Sequence, residues 1–281
     1  MKRTMPKKAL AILATYNEQR FVSACIENLI RQGFETYLLD NESTDQTVEI
    51  ARQYLGRGLI TIESLPRDGF YRWERILQRK IEIAQTSGHD WFMHVDADEI
   101  RLPPPAFGSI REAIAKVDAE GYNAINFVEF CFVPTREAPD HDHPDFQATM
   151  RWYYPLRPCA HHRLNLWKRQ DAPPDLTTSG GHRIDFPGLR AYPIDFPMRH
   201  YLFLNIAHAK AKWVDRIYDP AELERGWHRS RAALHAADIG LQSCRELRLY
   251  RSDSQLDASD PLSSHPVLAR RIGASQQEEW G

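Results

Sequence analysis

The chain has 281 residues, 42% hydrophobic and 26% charged, with a formal net charge of -2. Such a chain buries a substantial core, and its near-neutral balance excludes a global field that recruits nucleic acid or an anionic membrane. Cys25, Cys131, Cys159 and Cys244 are scattered without a C-x-x-C pair, which argues against a zinc knuckle or a disulfide framework and reads them as idle thiols.

The first apolar run, 9–14 behind Lys7 and Lys8, is shorter than the roughly 7–15-residue core of a signal peptide and lacks its cleavage site. No run approaches the about 18–20 apolar residues that cross a bilayer, so a cytoplasmic protein without a transmembrane segment is expected. Strands are predicted over 9–14, 36–39, 59–63 and 91–95, with helices between them. Phe21, Ala24, Cys25, Ile26, Leu29 and Ile30 recur at helical spacing until Gly33 stops the run. Ser43 and Gln46 form an S-x-x-Q capping signal, and a longer helix is predicted over 72–86. This alternation predicts an α/β, mostly parallel sheet with helices on both faces. Beyond Glu99 come a Pro run, a helix near 109–120, a strand over 124–133 and a polar loop over 134–145. Strand-like runs follow at 163–168 and 201–204, then helical patterns from 206 to 237. Residues 238–281 are polar and weakly periodic, and read as a peripheral tail.

Polar clusters follow three of the four early strands: Thr15, Tyr16, Asn17 and Glu18; then 40–45; then Asp96, Asp98 and Glu99. Open α/β sheets bind ligands at the carboxyl ends of their strands, so the three clusters are expected to share one crevice. Were the chain extended there, Asp96 and Asp98 would point to one side. Two carboxylates so placed suit Mg²⁺ or Mn²⁺, which neutralises a diphosphate. Asp40 and Asn41 are candidates for a nucleoside, whereas Ser43 reads as a helix cap and Asp45 as a cap or a ligand contact. Arg72, Arg75 and Arg79 share a helical face that solvent explains, with Lys80 as the candidate donor contact. His182, behind the Gly180-Gly181 pair, and His200 are candidates to close the metal site. His141, His143, His161 and His162 read as surface-loop groups.

Together these segments resemble glycosyltransferase family 2 and related enzymes of the GT-A fold. Residues 11–18 look like the family's first strand and nucleotide-contacting turn. Asp40-Asn41-Glu42-Ser43-Thr44-Asp45-Gln46-Thr47 is similar to its D-D-G-S-T-D-x-T signature, departing at Asn41 and Glu42. Asp96-Ala97-Asp98 resembles its D-x-D motif. The resemblance implies a Rossmann-like GT-A domain over 1–237, with a nucleotide-binding half (1–100), an acceptor-binding half (101–237) and a tail over 238–281. It implies that Thr15, Glu18 and Asp40 contact the nucleoside of a UDP- or GDP-sugar and that Asp96 serves its ribose-diphosphate; Tyr16, Asn41 and Asp45 are read as further donor contacts. Asp96, Asp98 and His200 would hold Mn²⁺ or Mg²⁺. The family's E-D base motif is not evident, which leaves Glu129, Asp185 and His182 as candidate bases. The expected activity is inverting transfer to a hydroxyl acceptor such as a glycan, with no nucleic acid involved. The basic segment 208–231 is a candidate for peripheral membrane association. The rival readings are a non-catalytic nucleotide-sugar binder and an Asp-dependent phosphatase. The phosphatase is disfavoured because its acidic pair belongs at the end of the first strand, where Thr15-Tyr16-Asn17 stands.

Overall fold

The computed structural model describes residues 7–268. In chain order the elements begin with β1 (Ala9–Thr15), α1 (Val22–Arg31), β2 (Glu35–Asp40), α2 (Thr47–Arg52), β3 (Leu59–Ser64), α3 (Trp73–Thr86) and β4 (Trp91–Asp96). Then come β5 (Glu99–Arg101), α4 (Ile110–Ala119), β6 (Ala124–Phe132), α5 (Phe146–Thr149), β7 (Trp152–Leu156), β8 (Arg163–Lys168) and β9 (Phe196–Tyr201). The short helices α6 (Ile206–Ala209), α7 (Pro220–Glu224) and α8 (Arg229–Ala232) precede the two-residue strand β10 (Arg248–Leu249). Two compact units result. The first takes in residues up to Pro66, Trp73–Phe127 and His161–Met198; the second takes in Arg67–Arg72, Val128–Ala160 and the described residues from Arg199 on.

In the first unit β1 to β4 are all parallel, in the order β3-β2-β1-β4, and β8 and the start of β6 add antiparallel strands beyond β4. Leu10, Ala11, Ile12 and Leu13 are fully buried, the continuous apolar run of a strand covered on both faces. Right-handed crossovers place α1 and α2 on one face and α3 on the other, because the strand order reverses direction at β1. α1 stops in a Schellman turn: Phe34 N–H donates to Leu29 O and Gly33 N–H to Ile30 O, with Gly33 at φ +83. α3 buries Trp73, Ile76, Leu77, Lys80, Ile81 and Ala84 at helical spacing against the sheet.

The capping signal at Ser43 is used otherwise. α2 starts at Thr47, whose N–H goes to Asp45 Oδ1 at 2.9 Å, while the Ser43 hydroxyl turns back to Asp40. A carboxylate two residues before the first helical turn thus displaces the serine four residues before it.

In the second unit the latter half of β6 pairs antiparallel with β7, and β7 with β10. A cluster of Cys131, Tyr154, Leu202, Phe203, Trp213, Ile239, Val267 and Leu268 forms its core. The helical patterns expected from 206 to 237 take the form of short pieces, because Pro220, Gly226 (φ +97) and His228 (φ +58) interrupt them. The strand expected over 201–204 lies earlier, as β9. Residues 239–268 do not trail as an unpacked tail: Ile239, Val267 and Leu268 are buried, and the Tyr250 N–H donates to Arg151 O at 2.7 Å. Few apolar residues carry that packing, which is why periodicity did not reveal it. The rest of the expected tail lies outside the described residues.

Candidate active site

Strand register builds the site. Thr15 lies opposite Asp40 and Ala14 opposite Asp96, so β1 brings the ends of β2 and β4 to one edge, where the strand order reverses. Such a reversal is where an α/β sheet opens a ligand crevice. Asp40 is 4% exposed, and its carboxylate accepts from Thr15 Oγ1 (3.1 Å), Ser43 Oγ (2.6 Å) and Ser43 N–H (2.9 Å). The Ser43 hydroxyl in turn accepts from Asn17 N–H at 2.9 Å, and Asn17 Oδ1 accepts from Thr44 N–H at 2.8 Å. Asn17 and Glu42 both have positive φ, at 57 and 59. The two loops therefore fasten each other, and Glu18 N–H on Thr47 Oγ1 (2.7 Å) and Gln19 N–H on Asp45 Oδ2 (3.1 Å) complete the fastening.

Asn41 is buried, its Nδ2 donates to Leu65 O at 3.0 Å, and its Oδ1 has no protein partner. Asn41 thus offers an acceptor, whereas the Asp40 oxygens are already engaged. Tyr16 and the Glu18 side chain are half-buried beside the same edge.

β4 ends at Asp96, and Ala97 and Asp98 form a turn before β5. The two aspartates are therefore not neighbours on one extended face, as alternation had predicted; a turn brings Asp98 back into the protein, where it is 4% exposed. The Asp96 side chain keeps 35% of its surface open. Burial pushes the Asp96 carboxyl up from its usual range, Glu99 and Asp98 add to this, and Lys80 and Arg163 oppose it.

Glu99 differs from both. It is buried and held by Arg101 Nη2 at 2.5 Å, and it accepts from Asp96 N–H at 3.2 Å. Arg101 also donates to Asn165 Oδ1 at 3.0 Å, and its backbone N–H to Asn28 Oδ1 at 3.1 Å. Glu99 is consumed by structure, while the Asp96 carboxylate has the His94 ring 3.9 Å away.

Lys80 is not part of the solvated stripe. It is fully buried, and its ammonium donates to His94 Nδ1 at 2.8 Å and to Val95 O at 3.1 Å. Burial pushes it down to about 8 against the pull of Asp96 and Glu99. His94 is held well below its ordinary value by burial and by the neighbouring cations Lys80, Arg101 and Arg163, so its Nδ1 accepts and the ring is neutral. Lys80 thus acts on Asp96 through its charge. Arg79 is spent on Glu63 (2.8 Å) and Glu82 (2.7 Å). Arg72, in the second unit, is spent on Asp68 and Asp219.

The Gly180-Gly181 pair packs its backbone here. Trp73 Nε1 donates to Gly180 O at 2.7 Å, and a Cβ on Gly181 (φ +92) would stand 3.1–3.2 Å from Leu77, Trp73 and His94. That close approach sets His182 against Arg163, whose Nη1 donates to His182 Nδ1 at 2.9 Å. His162 is buried and stacks on His182 with ring centroids 4.7 Å apart. His162 is therefore not a surface group, and neither is His141, buried with its Nδ1 2.9 Å from Thr149 Oγ1. Arg163, which the sequence did not single out, lies 3.9 Å from Glu99 and is a buried cation of the same edge. Its position at the start of a strand was the one available signal.

Residues 11–172, more than half of the chain, match the family described as glycosyl transferase family 2. The chain belongs to glycosyl transferase family 2. The matched span contains the Thr15–Glu18 and Asp40–Thr47 loops, the Asp96–Asp98 turn and Arg163. No curated protein matches this family 2 chain. Among solved structures it is similar to S. aureus TarS residues 1–349 in complex with UDP, at 18% identity over 46% of this chain and 36% of that one, TM-score 0.33. A further structure of S. aureus TarS is 12% identical over 76% of this chain and 41% of that one, TM-score 0.41. Glucosyl-3-phosphoglycerate synthase from Mycobacterium tuberculosis, in complex with Mn²⁺, UDP and glucosyl-3-phosphoglycerate, is 17% identical over 44% of each chain, TM-score 0.30. The chain spans less than half the length of each of these three. The mostly parallel α/β sheet agrees with the GT-A expectation for a family 2 protein. Among the described residues no helix is long and apolar enough to cross a membrane.

The remaining candidates divide between the units. Asp185 is exposed in the first, its backbone paired with Asp175. Glu129 and His200 belong to the second, where His200 Nδ1 lies 2.5 Å from Glu129 Oε1.

Proposed function

We propose that this family 2 protein transfers a sugar from a nucleoside diphosphate donor to an acceptor hydroxyl, with inversion and with a divalent cation on Asp96 and Asp98. One observation carries the reading. At the edge where β1 meets both β2 and β4, Asp96 and Asp98 bracket one turn at the end of β4, and the Asp96 side chain keeps 35% of its surface open, while Glu99 is tied to Arg101 and Asp40 to Thr15 and Ser43. The donor set is of hard oxygens, and a cation would relieve the upward push on Asp96, which comes first from burial and then from Glu99 and Asp98. Such an ion supplies neutralisation of the diphosphate leaving group.

The chain's own groups support the rest. The fastened loops of Asn17 and Ser43 hold Thr15 and Asp40 rigid, and the free Asn41 Oδ1 is an acceptor suited to an N–H of the base. Arg163 and the buried Lys80 keep the edge from accumulating negative charge. His182 takes an N–H from Arg163 on Nδ1, so in its neutral form the proton sits on Nε2 and the ring donates there. This suits His182 to hold an acceptor or donor oxygen. Proton removal from the acceptor then falls to a carboxylate, and Asp185→Asn and Glu129→Gln divide the candidates. Loss of the base lowers kcat at unchanged donor KM; loss of the other does not.

Isothermal titration with UDP and GDP, with and without Mn²⁺, tests the donor side. Binding that needs both the ion and Asp98 is expected. Binding indifferent to a chelator and to Asp98→Ala would falsify the reading. Slow hydrolysis of the donor with Mn²⁺ present separates a transferase from a pure binder.

A further inference from the structure

A second group of metal-ligating side chains stands in the second unit, and the donor reading does not use it as a group. Glu129 and Cys131 are two residues apart on β6, so strand alternation puts both side chains on one face. β9 supplies His200. One ligand atom from each, a carboxylate oxygen, a thiol sulfur and an imidazole nitrogen, lies within 4.8 Å of the other two. His200 Nδ1 is 2.5 Å from Glu129 Oε1, and Cys131 Sγ is 3.4 Å from the same oxygen. Glu129 and Cys131 are wholly buried, and the His200 side chain is 12% exposed. Cys131 belongs to the apolar cluster with Tyr154, Phe203 and Trp213, so the group has an apolar wall on one side, and the imidazole is its most exposed member.

We infer that Glu129, Cys131 and His200 form a binding site for a zinc-class divalent ion, distinct in chemistry from the Asp96–Asp98 pair. A thiolate and an imidazole select borderline-soft ions such as Zn²⁺ or Co²⁺, whereas Mg²⁺ and Mn²⁺ prefer all-oxygen sets. Bonds of about 2.3 Å to sulfur and about 2.0–2.2 Å to nitrogen and oxygen place tetrahedral ligands about 3.3–3.7 Å apart. The sulfur–oxygen separation already has that spacing, and the His200–Glu129 pair must open by about 1 Å as the ion replaces the shared proton. A carboxylate, a thiolate and a neutral imidazole around a doubly positive ion sum to zero charge, which burial favours. Three protein ligands leave the fourth position to water, on the open side of His200.

The test uses the full chain, stripped of metal and titrated with Co²⁺ alone. One equivalent is expected to give a thiolate-to-cobalt charge-transfer band in the near ultraviolet and the visible bands of a tetrahedral ion. Cys131→Ser is expected to remove the thiolate band, and His200→Ala to weaken binding by more than the about 10–100-fold that loss of a supporting residue costs. Cys25→Ser, Cys159→Ser and Cys244→Ser should keep the band, and Asp98→Asn should keep it while losing Mn²⁺-dependent UDP binding. Should the Cys131 variant not fold, X-ray absorption on the zinc-loaded wild-type chain decides, with one sulfur at about 2.3 Å expected. A thiolate band that survives Cys131→Ser, or a bound ion with only oxygen and nitrogen neighbours, overturns the inference. So does a His200→Ala variant that binds Co²⁺ normally but loses Mn²⁺-dependent UDP binding. That last result hands His200 to the donor cation and leaves the donor reading intact, so the two readings fail separately.

Discussion

In the first unit Asp96 and Asp98 come from one strand end and the turn after it, whereas in the second unit Glu129 and His200 are 71 positions apart and meet through β6 and β9. The first group is all oxygen at the carboxyl edge of parallel strands; the second mixes sulfur, nitrogen and oxygen beside an apolar core. Local acidic runs announce themselves in a sequence. A ligand set assembled by strand pairing does not, because its members look like an isolated Glu, Cys and His until register is known.

Glu99, tied to Arg101, is set apart from the Asp96–Asp98 pair in the proposed reading, and variants can break that distinction. The largest effect is expected from Glu99→Ala, which leaves the fully buried Arg101 without its carboxylate partner and should cost about 3–5 kcal/mol in urea unfolding. If that variant unfolds like the wild type but no longer binds Mn²⁺, Glu99 belongs with the ligand set instead. Next comes Asp98→Asn, expected to lower transfer about 10²–10³-fold, as removal of one group that stabilises developing charge does, with little change in stability. A lower Tm accompanying that loss would mark Asp98 as structural.

A pH series sharpens the role of Lys80. Its proton is held less tightly in the fold, at about 8, than in the unfolded chain near 10.5. Between those values the unfolded state carries more protons, so stability contributed by this group rises with pH; below pH 8 the whole cost of the buried charge is felt. The span corresponds to about 3 kcal/mol. Subtracting Lys80→Met removes other titrations, and the wild-type stability relative to that variant should climb from pH 8 to pH 10.5. A flat difference would mean that the ammonium is better solvated than its contacts with His94 and Val95 imply.

Much of the first unit was legible because its signals are local. Apolar runs of strand length, Gly33 at positive φ and the helical spacing of Phe21 to Ile30 fix β1, α1 and β2 within a residue or two. Asp40 and Asp96 were legible as strand-end residues. What escaped depends on contacts distant in sequence. Arg163 reaches Glu99 across 64 positions and was a plain strand arginine in the sequence; Lys80 read as a donor contact, whereas the fold buries it fully on His94 and Val95. Residues 206–268 escaped because their core rests on few apolar residues set among short turns rather than on a period.

The smallest effect makes the most local test. Ser109 and Ser43 carry the same signal, a serine three residues before a Glu or Gln, yet only Ser109 caps a helix, accepting from Glu112 N–H at 3.2 Å. Ser43 instead gives its proton to Asp40 and takes one from Asn17, because Asp45 already serves the helix start. Ser109→Ala should therefore cost about 1 kcal/mol of stability and leave UDP binding alone. Ser43→Ala should cost a similar about 1–2 kcal/mol, since it strips one partner from a buried carboxylate, but it should also weaken UDP binding, since it frees Asp40 and the Asn17 loop together. Equal UDP affinity in the two variants would show that the fastening of the loops serves folding alone, and that Asp40 meets the nucleoside without help from its neighbour.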